Sequence, residues 1–237
     1  MVKFEIEGID EKYQKHVVFV DADGKIRTGI VEYIKLIGQD CITDGVTVGT
    51  GTTSPKTYNG ILCYPLPFPS NIVGNDYAEQ TLSLTVAAGS SSSGTGSVSA
   101  TFVSNLRNKI TKVRGDVIAV VTYYYASSDT SGTVEVTTID IEFGKIDTET
   151  GETTTIASKT LTINRSTTGS VTEAAVAIFE NLDFSINEGE RLYLSVTVNF
   201  SYIVTNSGTA SITDTATVRI DYYRGADDTY IMIPVVM

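Results

Sequence analysis

The sequence predicts a mostly β protein: an antiparallel β-sandwich of jelly-roll type, preceded by a small N-terminal α+β region that contains one helix. The first observation is composition, because 34 of the 237 residues are Thr and 21 are Ser. Thr, Val, Tyr and Ile favour strands, whereas helices prefer Ala, Leu, Glu and Lys. The second is the alternation of apolar and polar residues from residue 81 onward, which is typical of half-buried strands. The third is the regular spacing of Gly- and Ser-rich turns, which indicates a sandwich.

The N-terminal region begins with two predicted strands. Residues 2–7 alternate as V-K-F-E-I-E, and residues 16–21 form the β-branched run H-V-V-F-V-D. The pair Asp23-Gly24 follows and indicates a tight turn. These signals predict a strand, a second strand and a turn before the helix.

Residues 28–38 carry the only helix that we predict. Thr28 is suited to cap its first turn, and Gly38 stands where a helix would end. The apolar residues at helical spacing are Ile30, Val31, Ile34 and Ile37. The segment is therefore expected to pack one apolar side of a helix against the rest of the region.

The N-terminal region is expected to end in an extended connector. Residues 46–55 open as a short strand and continue as a glycine-rich loop, and Pro65, Pro67 and Pro69 then interrupt the apolar positions. Proline favours extended backbone and excludes helix. We place a domain boundary near Asn75, which gives an N-terminal region of residues 1–75 and a jelly-roll sandwich of residues 76–237.

The first strands of the sandwich are expected at residues 81–88 and 97–103, joined as a hairpin by a turn over residues 89–94. Val98, Ala100 and Phe102 should face inward. In residues 116–126 both the odd-numbered and the even-numbered positions are mostly apolar, which predicts a central strand covered on both faces.

The middle of the sandwich contains one irregular strand and one ambiguous segment. In residues 133–143 the apolar positions change parity, which predicts a β-bulge near Thr137 and Thr138. Residues 147–152 form a hairpin turn that leads to a strand over residues 154–163. Residues 172–180 fit a strand or two helical turns equally well.

The last three strands are the clearest. Residues 191–204 place Leu192 and the following even-numbered apolar residues on one face, and residues 209–223 are expected to be the partner strand. Residues 230–236 close the chain as an apolar strand. Because an uncovered apolar strand promotes aggregation, we expect this one to be an integral strand of the sandwich.

Charge and composition exclude several function classes. The chain has 17 Lys and Arg against 28 Asp and Glu, a net charge of −11, which argues against nucleic-acid binding. Residues 231–237 are the longest apolar run, far short of the roughly 20 residues that a membrane helix needs. No signal peptide is visible. One His, two Cys and no Trp leave few residues for metal or nucleophilic chemistry. We therefore assign no catalytic, cofactor-binding or metal-binding residue.

Several short motifs have an ordinary structural interpretation. Asp21, Asp23 and Glu32 resemble part of a calcium loop, but the glycine stands at the wrong position and a hairpin turn is favoured. The glycine-rich residues 48–53 lack the Gly-Lys-Ser/Thr ending of a phosphate loop. His16 has no Cys or Ser near it in sequence. A basic cluster is expected to pair with carboxylates or a neighbouring subunit; its members are Arg107, Lys109, Lys112 and Arg114.

Other motifs leave alternatives open. Cys41 and Cys63 read as small apolar residues, although a disulfide between them remains an alternative. Asn164 and Asn199 match the glycosylation acceptor motif. Four carboxylates could supply the acid and base of a glycosidase, but a solvated turn is favoured. They are Glu180, Asp183, Glu188 and Glu190.

Two stretches resemble structural proteins of tailed phages and of archaeal viruses. Residues 28–38 followed by the V-G-T-G-T-T-S-P of residues 48–55 are similar to an N-terminal segment of tail, fibre and baseplate proteins. Residues 186–196, 219–223 and 228–234 resemble the closing strands of capsid-surface jelly rolls. The resemblance implies a non-enzymatic virion protein, made in the host cytoplasm, whose partners are copies of itself and other virion proteins. It implies no catalytic residues.

Two other binding functions and one activity are alternatives. A carbohydrate- or receptor-binding sandwich would stack a host-surface glycan on Tyr rings, namely Tyr123, Tyr124, Tyr125, Tyr222 and Tyr223. A cellular surface or pilus-like subunit would have a leader peptide encoded upstream. A glycosidase would use Glu188 and Glu190.

Overall fold

In the part of the chain that the structure describes, every regular element is a β-strand. The computed structural model describes residues 15–20, 26–36, 56–58, 61–65, 77–103, 111–147, 149–221 and 229–236, with side chains for 77–103, 112–147, 149–221 and 229–234. The strands are β1 (Lys15–Val20), β2 (Ile26–Leu36), β3 (Lys56–Tyr58), β4 (Ile61–Pro65), β5 (Tyr77–Val86), β6 (Ser90–Val103), β7 (Thr111–Ser127), β8 (Gly132–Asp147), β9 (Thr153–Thr167), β10 (Ser170–Ile186), β11 (Glu190–Asn206), β12 (Ile212–Asp221) and β13 (Tyr230–Val236).

The strands form two sheets, and β5 to β12 are connected as a jelly roll. The first sheet has the order β5-β12-β7-β10, and the second has the order β6-β11-β8-β9. Successive strands alternate between the sheets except for the β8–β9 hairpin. This is the eight-strand, two-sheet arrangement that defines the jelly roll. The predicted fold class is confirmed for this part of the chain.

The N- and C-terminal strands extend both sheets. In the first sheet, β13 pairs with β7 beside β12, then with β2, which pairs with β1. In the second sheet, β4 runs parallel to β6 and pairs antiparallel with β3. The closing strand is therefore an integral strand of the first sheet, as its apolar sequence predicts.

Both sheets contribute inward side chains to one apolar core. The largest fully buried rings are Phe102, Phe143, Phe200, Tyr123, Tyr125 and Tyr202. On β11 every even-numbered residue from Leu192 to Val204 is buried, which confirms the predicted inner face of this strand. Gly96 lies beneath Phe200, where an added Cβ would come within 2.6 Å of the ring. The absence of a side chain there lets the ring fill the space between the sheets.

The predicted bulge in β8 is confirmed. Thr138 pairs with Asn199 and Val136 pairs with Phe200, so Thr137 is the extra residue. The Thr137 hydroxyl donates to the carbonyl of Asn199 at 3.1 Å. One added residue returns apolar side chains to the inner face after the parity change. The predicted turn over residues 147–152 is also present, closed by the Asp147 N–H bond to the Glu152 carbonyl at 2.9 Å.

The predicted helix over residues 28–38 is wrong, because residues 26–36 form β2. This strand pairs with β1 on one edge and with β13 on the other. A strand with paired neighbours on both sides often carries apolar residues at both parities, and such a run also matches helical spacing. Pairing with distant strands decides between the two, and the β-branched residues suit the strand. The ambiguous residues 172–180 likewise form a strand, within β10.

Two predicted strand partnerships are wrong for a common reason. β5 and β6 do not form a hairpin, because β5 pairs with β12 and β6 pairs with β11 in the other sheet. β11 and β12 likewise belong to opposite sheets. The turn after β5 is already complete at Gly89, whose φ of +68° reverses the chain, and Gly94 lies inside β6. In a jelly roll, short connections cross between sheets, so neighbours in sequence face each other instead of pairing.

Four predictions lie outside the described residues. They are the strand over residues 2–7, the turn at Asp23-Gly24, the glycine-rich loop of residues 46–55 and the boundary near Asn75.

Candidate functional site: the outer face and open edge of the first sheet

The outer face of the first sheet is divided into two chemically different parts. Over β5 and β12 the outward side chains are mainly hydroxyls that bond one another across the strands. Ser83 and Thr215 are 2.8 Å apart, and Thr85 and Thr213 are 2.9 Å apart. We call this part the hydroxyl half. These two hydroxyl pairs are hydrogen-bonded within the chain.

An ion pair completes the hydroxyl half. The Arg219 guanidinium on β12 pairs with Glu79 on β5 and lies 4.1 Å from the ring centre of Tyr77 and 5.0 Å from that of Tyr124. The Glu79 carboxylate and the two rings raise the pKa of Arg219, against the opposing effect of burial. The cation is held between rings and a carboxylate of its own chain.

The other part of this outer face is apolar. We call it the apolar stripe, and its members are Ala174, Val176 and Ile178 on β10, Ile118 and Val120 on β7, and Tyr230 and Met232 on β13. The register aligns them in two rows across three strands, Val176–Val120–Tyr230 and Ile178–Ile118–Met232. Val176 is 54% exposed and Ile178 is 42% exposed. A contiguous exposed apolar surface commonly marks an interaction site.

An open cleft lies between β9 and β10, where the two sheets end side by side. Its volume is about 510 Å³, within the range of small-molecule sites. Leu161, Ile163 and Arg165 line it from β9, and Glu173 and Val176 from β10. The cleft thus combines apolar walls with one cation and one carboxylate.

A tyrosine hydroxyl marks the floor of this cleft. Tyr123 donates to Glu173 at 2.8 Å, and its ring stacks on Tyr125 with centres 5.9 Å apart. Burial raises the pKa of Tyr123 well above its ordinary value, and the neighbouring Glu173 carboxylate adds to the shift. The hydroxyl stays protonated and holds the edge strand β10 to the adjacent β7.

The second sheet carries a smaller polar groove on its outer face, of about 250 Å³. Asp140 accepts from Thr160 at 2.6 Å and from the Asn199 amide at 2.7 Å. Glu142 accepts from Thr155 at 2.9 Å and from Tyr193 at 2.5 Å. These carboxylates of β8 are already hydrogen-bonded by side chains of β9 and β11.

A buried carboxylate anchors one end of the sandwich. Asp214 is 1% exposed and accepts hydrogen bonds from Ser128 at 2.5 Å, Ser127 at 3.4 Å and Ser131 at 3.5 Å. Ser127 also lies 3.1 Å from the Tyr202 hydroxyl. Burial and the Asp214 carboxylate raise the pKa of Tyr202 to about 12. The cluster ties β12 to the connection between β7 and β8.

The structure does not bring the proposed glycan-stacking rings together. Tyr123 and Tyr125 point into the core, each 2% exposed, whereas Tyr124 points outward beneath Arg219. Tyr222 and Tyr223 lie outside the described residues. Adjacent residues of a strand alternate between its faces, which separates a run of three tyrosines.

The glycosidase carboxylates are not arranged as an acid and a base. Asp183 pairs with Lys112 and with Arg114, and the Lys112 ammonium lowers its pKa. Glu190 binds Lys145 at 2.8 Å; burial opposes its ionisation, but Lys145 and the Asn187 N–H lower its pKa. A general acid needs the opposite shift. Glu180 is exposed within β10, and Glu188 is exposed in the turn that follows this strand.

Those contacts confirm that half of the basic cluster pairs with a carboxylate. Lys112 and Arg114 face Asp183, while Arg107 and Lys109 lie outside the described residues. Of the glycosylation motifs, Asn164 is exposed on β9 with a φ of 49°. The Asn199 amide is bonded to Thr138 and Asp140.

The remaining single residues singled out in the sequence all lie within the first 65 residues of the chain. His16 lies in β1, Glu32 in β2 and Cys63 in β4, strands whose side chains are not described. Asp21, Asp23 and Cys41 lie outside the described residues. Among the described residues no group of three or more His, Cys, Asp or Glu is placed to hold a metal ion. The same part of the chain has no helix with the length and apolar character of a membrane span.

Sequence analysis missed the apolar stripe, although part of its signal is present. In the run T-E-A-A-V-A-I of residues 172–178, every even-numbered position is uncharged and the inward positions are mostly small. Such a run shows no alternation, so periodicity could not assign a face. The neighbours on β7 and β13 come from distant parts of the sequence.

No family model matches the sequence, and no curated protein matches it. Among solved structures, it is similar to a CocE/NonD family hydrolase from Staphylococcus aureus, with a TM-score of 0.39, 10% identity, and coverage of 67% of this chain and 37% of that one. It is also similar to an aminopeptidase from a marine sediment Thaumarchaeota archaeon, with a TM-score of 0.41 and 8% identity. This match covers 59% of this chain and 26% of the aminopeptidase.

Carbohydrate-binding modules of the β-sandwich superfamily give a TM-score of 0.26 and 11% identity, over 86% of this chain and 71% of the other. The chain thus spans well under half the length of the hydrolase and of the aminopeptidase. At these TM-scores the similarities carry no functional argument, and function has to be argued from the surfaces.

Proposed function

We propose that this chain is a non-enzymatic structural component of a virus particle, a tail, baseplate, fibre or capsid-surface protein, which assembles through its β-sandwich. The observation that carries the proposal is the apolar stripe, with Val176 and Ile178 exposed at the rim of the first sheet. Jelly rolls are widely used in viral capsids, which supports the class by analogy of fold.

The chemistry of the described surface also favours contact over turnover. Of the carboxylates proposed for catalysis, Asp183 and Glu190 are ion-paired, and Glu180 and Glu188 are exposed. In the hydroxyl half, Ser83 and Thr85 are hydrogen-bonded to Thr215 and Thr213 of the same chain. Covering the apolar stripe with another surface, by contrast, lowers the free energy by about 25 cal/mol for each Å² of apolar area removed from water.

The test is mass spectrometry of purified virus particles from a host that carries the gene. We expect the chain among the particle proteins in an amount comparable to known structural components, and enriched over abundant host cytoplasmic proteins. Particles that retain infectivity and contain none of the chain would overturn the proposal.

A carbohydrate- or receptor-binding function is the second candidate, and the cleft between β9 and β10 favours it. Arg165 and Glu173 there offer a donor and an acceptor to sugar hydroxyls. A glycan array would be probed with the wild type and with Arg165→Ala. Binding that is lost in the variant would support this function, and an array without signal would contradict it.

A further inference from the structure

β10 is the edge of the first sheet, and its geometry fixes which of its backbone groups are open. Among the described strands it pairs only with β7. Just before β10, the Gly169 carbonyl accepts from the Ser127 N–H at 2.9 Å, in the same antiparallel register. Bonded residues alternate along an antiparallel strand, so the odd-numbered residues of β10 bond to β7. The even-numbered residues 172–178 direct their N–H and C=O groups away from it.

A second contact supports this assignment. The Ile178 carbonyl accepts from the Lys159 ammonium of β9 at 3.3 Å, from the side opposite β7. For Thr172, Ala174 and Val176, no hydrogen bond from their backbone groups to another described residue is present beyond the pairing with β7. A lysine at one carbonyl partly protects the edge, but most of the run is open.

The same even-numbered residues carry the exposed side chains of the apolar stripe. Ala174, Val176 and Ile178 point outward, and no charge lies among the outward positions of residues 172–178. The run ends beyond Phe179, where the register shifts and Asn181 adopts a φ of 55°. The open segment is therefore about seven residues long, enough for a strand pair.

A second copy of this chain fits this edge better than another partner, because the run matches itself. In an antiparallel pair with its two-fold axis at Val176, even-numbered residues meet even-numbered residues. Val176 then lies opposite Val176 of the partner subunit, and Ala174 lies opposite Ile178 of the partner subunit. Each chain has a net charge of −11, so two copies repel except where an uncharged segment lets them approach.

We propose that two copies of this chain pair antiparallel along β10, with a two-fold axis at Val176, so that their first sheets join into one continuous sheet. The contact is isologous, as in most homodimers. It removes the open edge and joins the two apolar stripes into one surface. The Ile178 carbonyl exchanges the Lys159 ammonium for the Ala174 N–H of the partner subunit. This inference rests on the proposed assembly function and names its contact.

The test compares Val176→Lys with Ile203→Lys. Ile203 is 50% exposed, about as much as Val176, but it lies on β11, which pairs on both sides. We expect light scattering over a concentration series to show a dimer for the wild type and for Ile203→Lys, and a monomer for Val176→Lys. A monomeric wild type, or a dimeric Val176→Lys variant, overturns the inference.

A cysteine tests the register. In a background with Cys41→Ser and Cys63→Ser, mild oxidation should link Val176→Cys into a covalent dimer and leave Ile203→Cys unlinked. Equal linking of both variants contradicts the stated axis. The two proposals fail separately: a monomer that is present in purified particles refutes only the β10 pairing, and a β10 dimer that is absent from particles refutes only the virion function.

Discussion

The hydroxyl half and the apolar stripe belong to one sheet and share its pleat, yet they differ in what they require from their surroundings. Outward residues of β5 and β12 bond each other, as Ser83 and Thr215 do at 2.8 Å. Outward residues of β10 have no such partners and leave Val176 54% exposed. The backbone differs in the same way, because among the described strands β12 is paired on both edges and β10 on one. The features that favour binding to another protein surface are therefore concentrated at the β10 edge of the sheet.

The difference indicates what mutations should do in each region. Beneath the hydroxyl half, the buried carboxylate of Asp214 holds β12 to the connection between β7 and β8, so removing it should lower the free energy of unfolding. At the most exposed positions of the apolar stripe, Val176 and Ile178, the side chains contribute little to the isolated subunit, because about half of their surface remains in water. Substitutions there should change association and leave unfolding nearly unchanged.

The largest effect is expected for Asp214→Ala at the buried end of β12. The change removes the acceptor that the hydroxyls of Ser127, Ser128 and Ser131 share. Bonds to a charged acceptor contribute about 1.5–3 kcal/mol each, and an unsatisfied group costs a similar amount. We expect the free energy of unfolding in urea to fall by about 3 kcal/mol.

The matched change on the apolar stripe is Ile178→Ala. Because Ile178 is 42% exposed, its truncation should alter unfolding by less than about 1 kcal/mol when measured with dimer formation suppressed by dilution. Equal losses for the two variants would remove the distinction between the regions.

An intermediate effect is expected at high pH. Burial, with the Asp214 carboxylate, raises the pKa of Tyr202 to about 12, whereas the unfolded value is near 10. The stability that this difference contributes is complete below pH 10 and is lost as the pH rises through 12, because the unfolded chain ionises first. Tyr202→Phe should reduce this pH-dependent loss by up to about 1 kcal/mol for each pH unit in that window.

The measurement is urea unfolding of wild type and variant at several values between pH 9 and 12. At pH 7 the variant should lose the contacts of the hydroxyl with Ser127 and Asp214, about 1 kcal/mol. Parallel stability curves across the alkaline range would show that Tyr202 is not held protonated by its surroundings.

How well the sequence predicts a feature of this fold depends on how far apart in sequence the interacting residues lie. The bulge at Thr137 and the inner face of β11 follow from periodicity, because parity within one strand determines them. The helix predicted over residues 28–38 is wrong because its spacing fits a paired strand equally well. Pairing with β1 and β13 decides the outcome, and no local pattern records that pairing.

The site was less predictable than the fold for the same reason. The apolar stripe joins residues of β7, β10 and β13 that are over a hundred positions apart at the extremes. The tyrosine run of residues 123–125 predicts three stacking rings, but strand alternation buries Tyr123 and Tyr125. Individual residue types were visible in the sequence, while their grouping depends on the order of strands in the sheet.

The smallest effect on unfolding is expected for a variant with a new exposed apolar surface on a strand that has no open edge. Thr213, Thr215 and Thr217 point outward on β12, and their change to Val makes the hydroxyl half apolar with little change in volume. Ser83 and Thr85 then lose hydroxyl partners but remain exposed to water. Val also suits a strand, so unfolding should shift by no more than about 0.5 kcal/mol.

If an open edge is required for assembly, the triple variant should have the same oligomeric state as the wild type. Its new apolar surface lies over strands whose backbone groups are already paired by β5 and β7. Light scattering of the triple variant, alone and combined with Val176→Lys, measures this. Association that persists in the combined variant would mean that exposed apolar area alone is enough to bring two copies together, and the special position of β10 would then be lost.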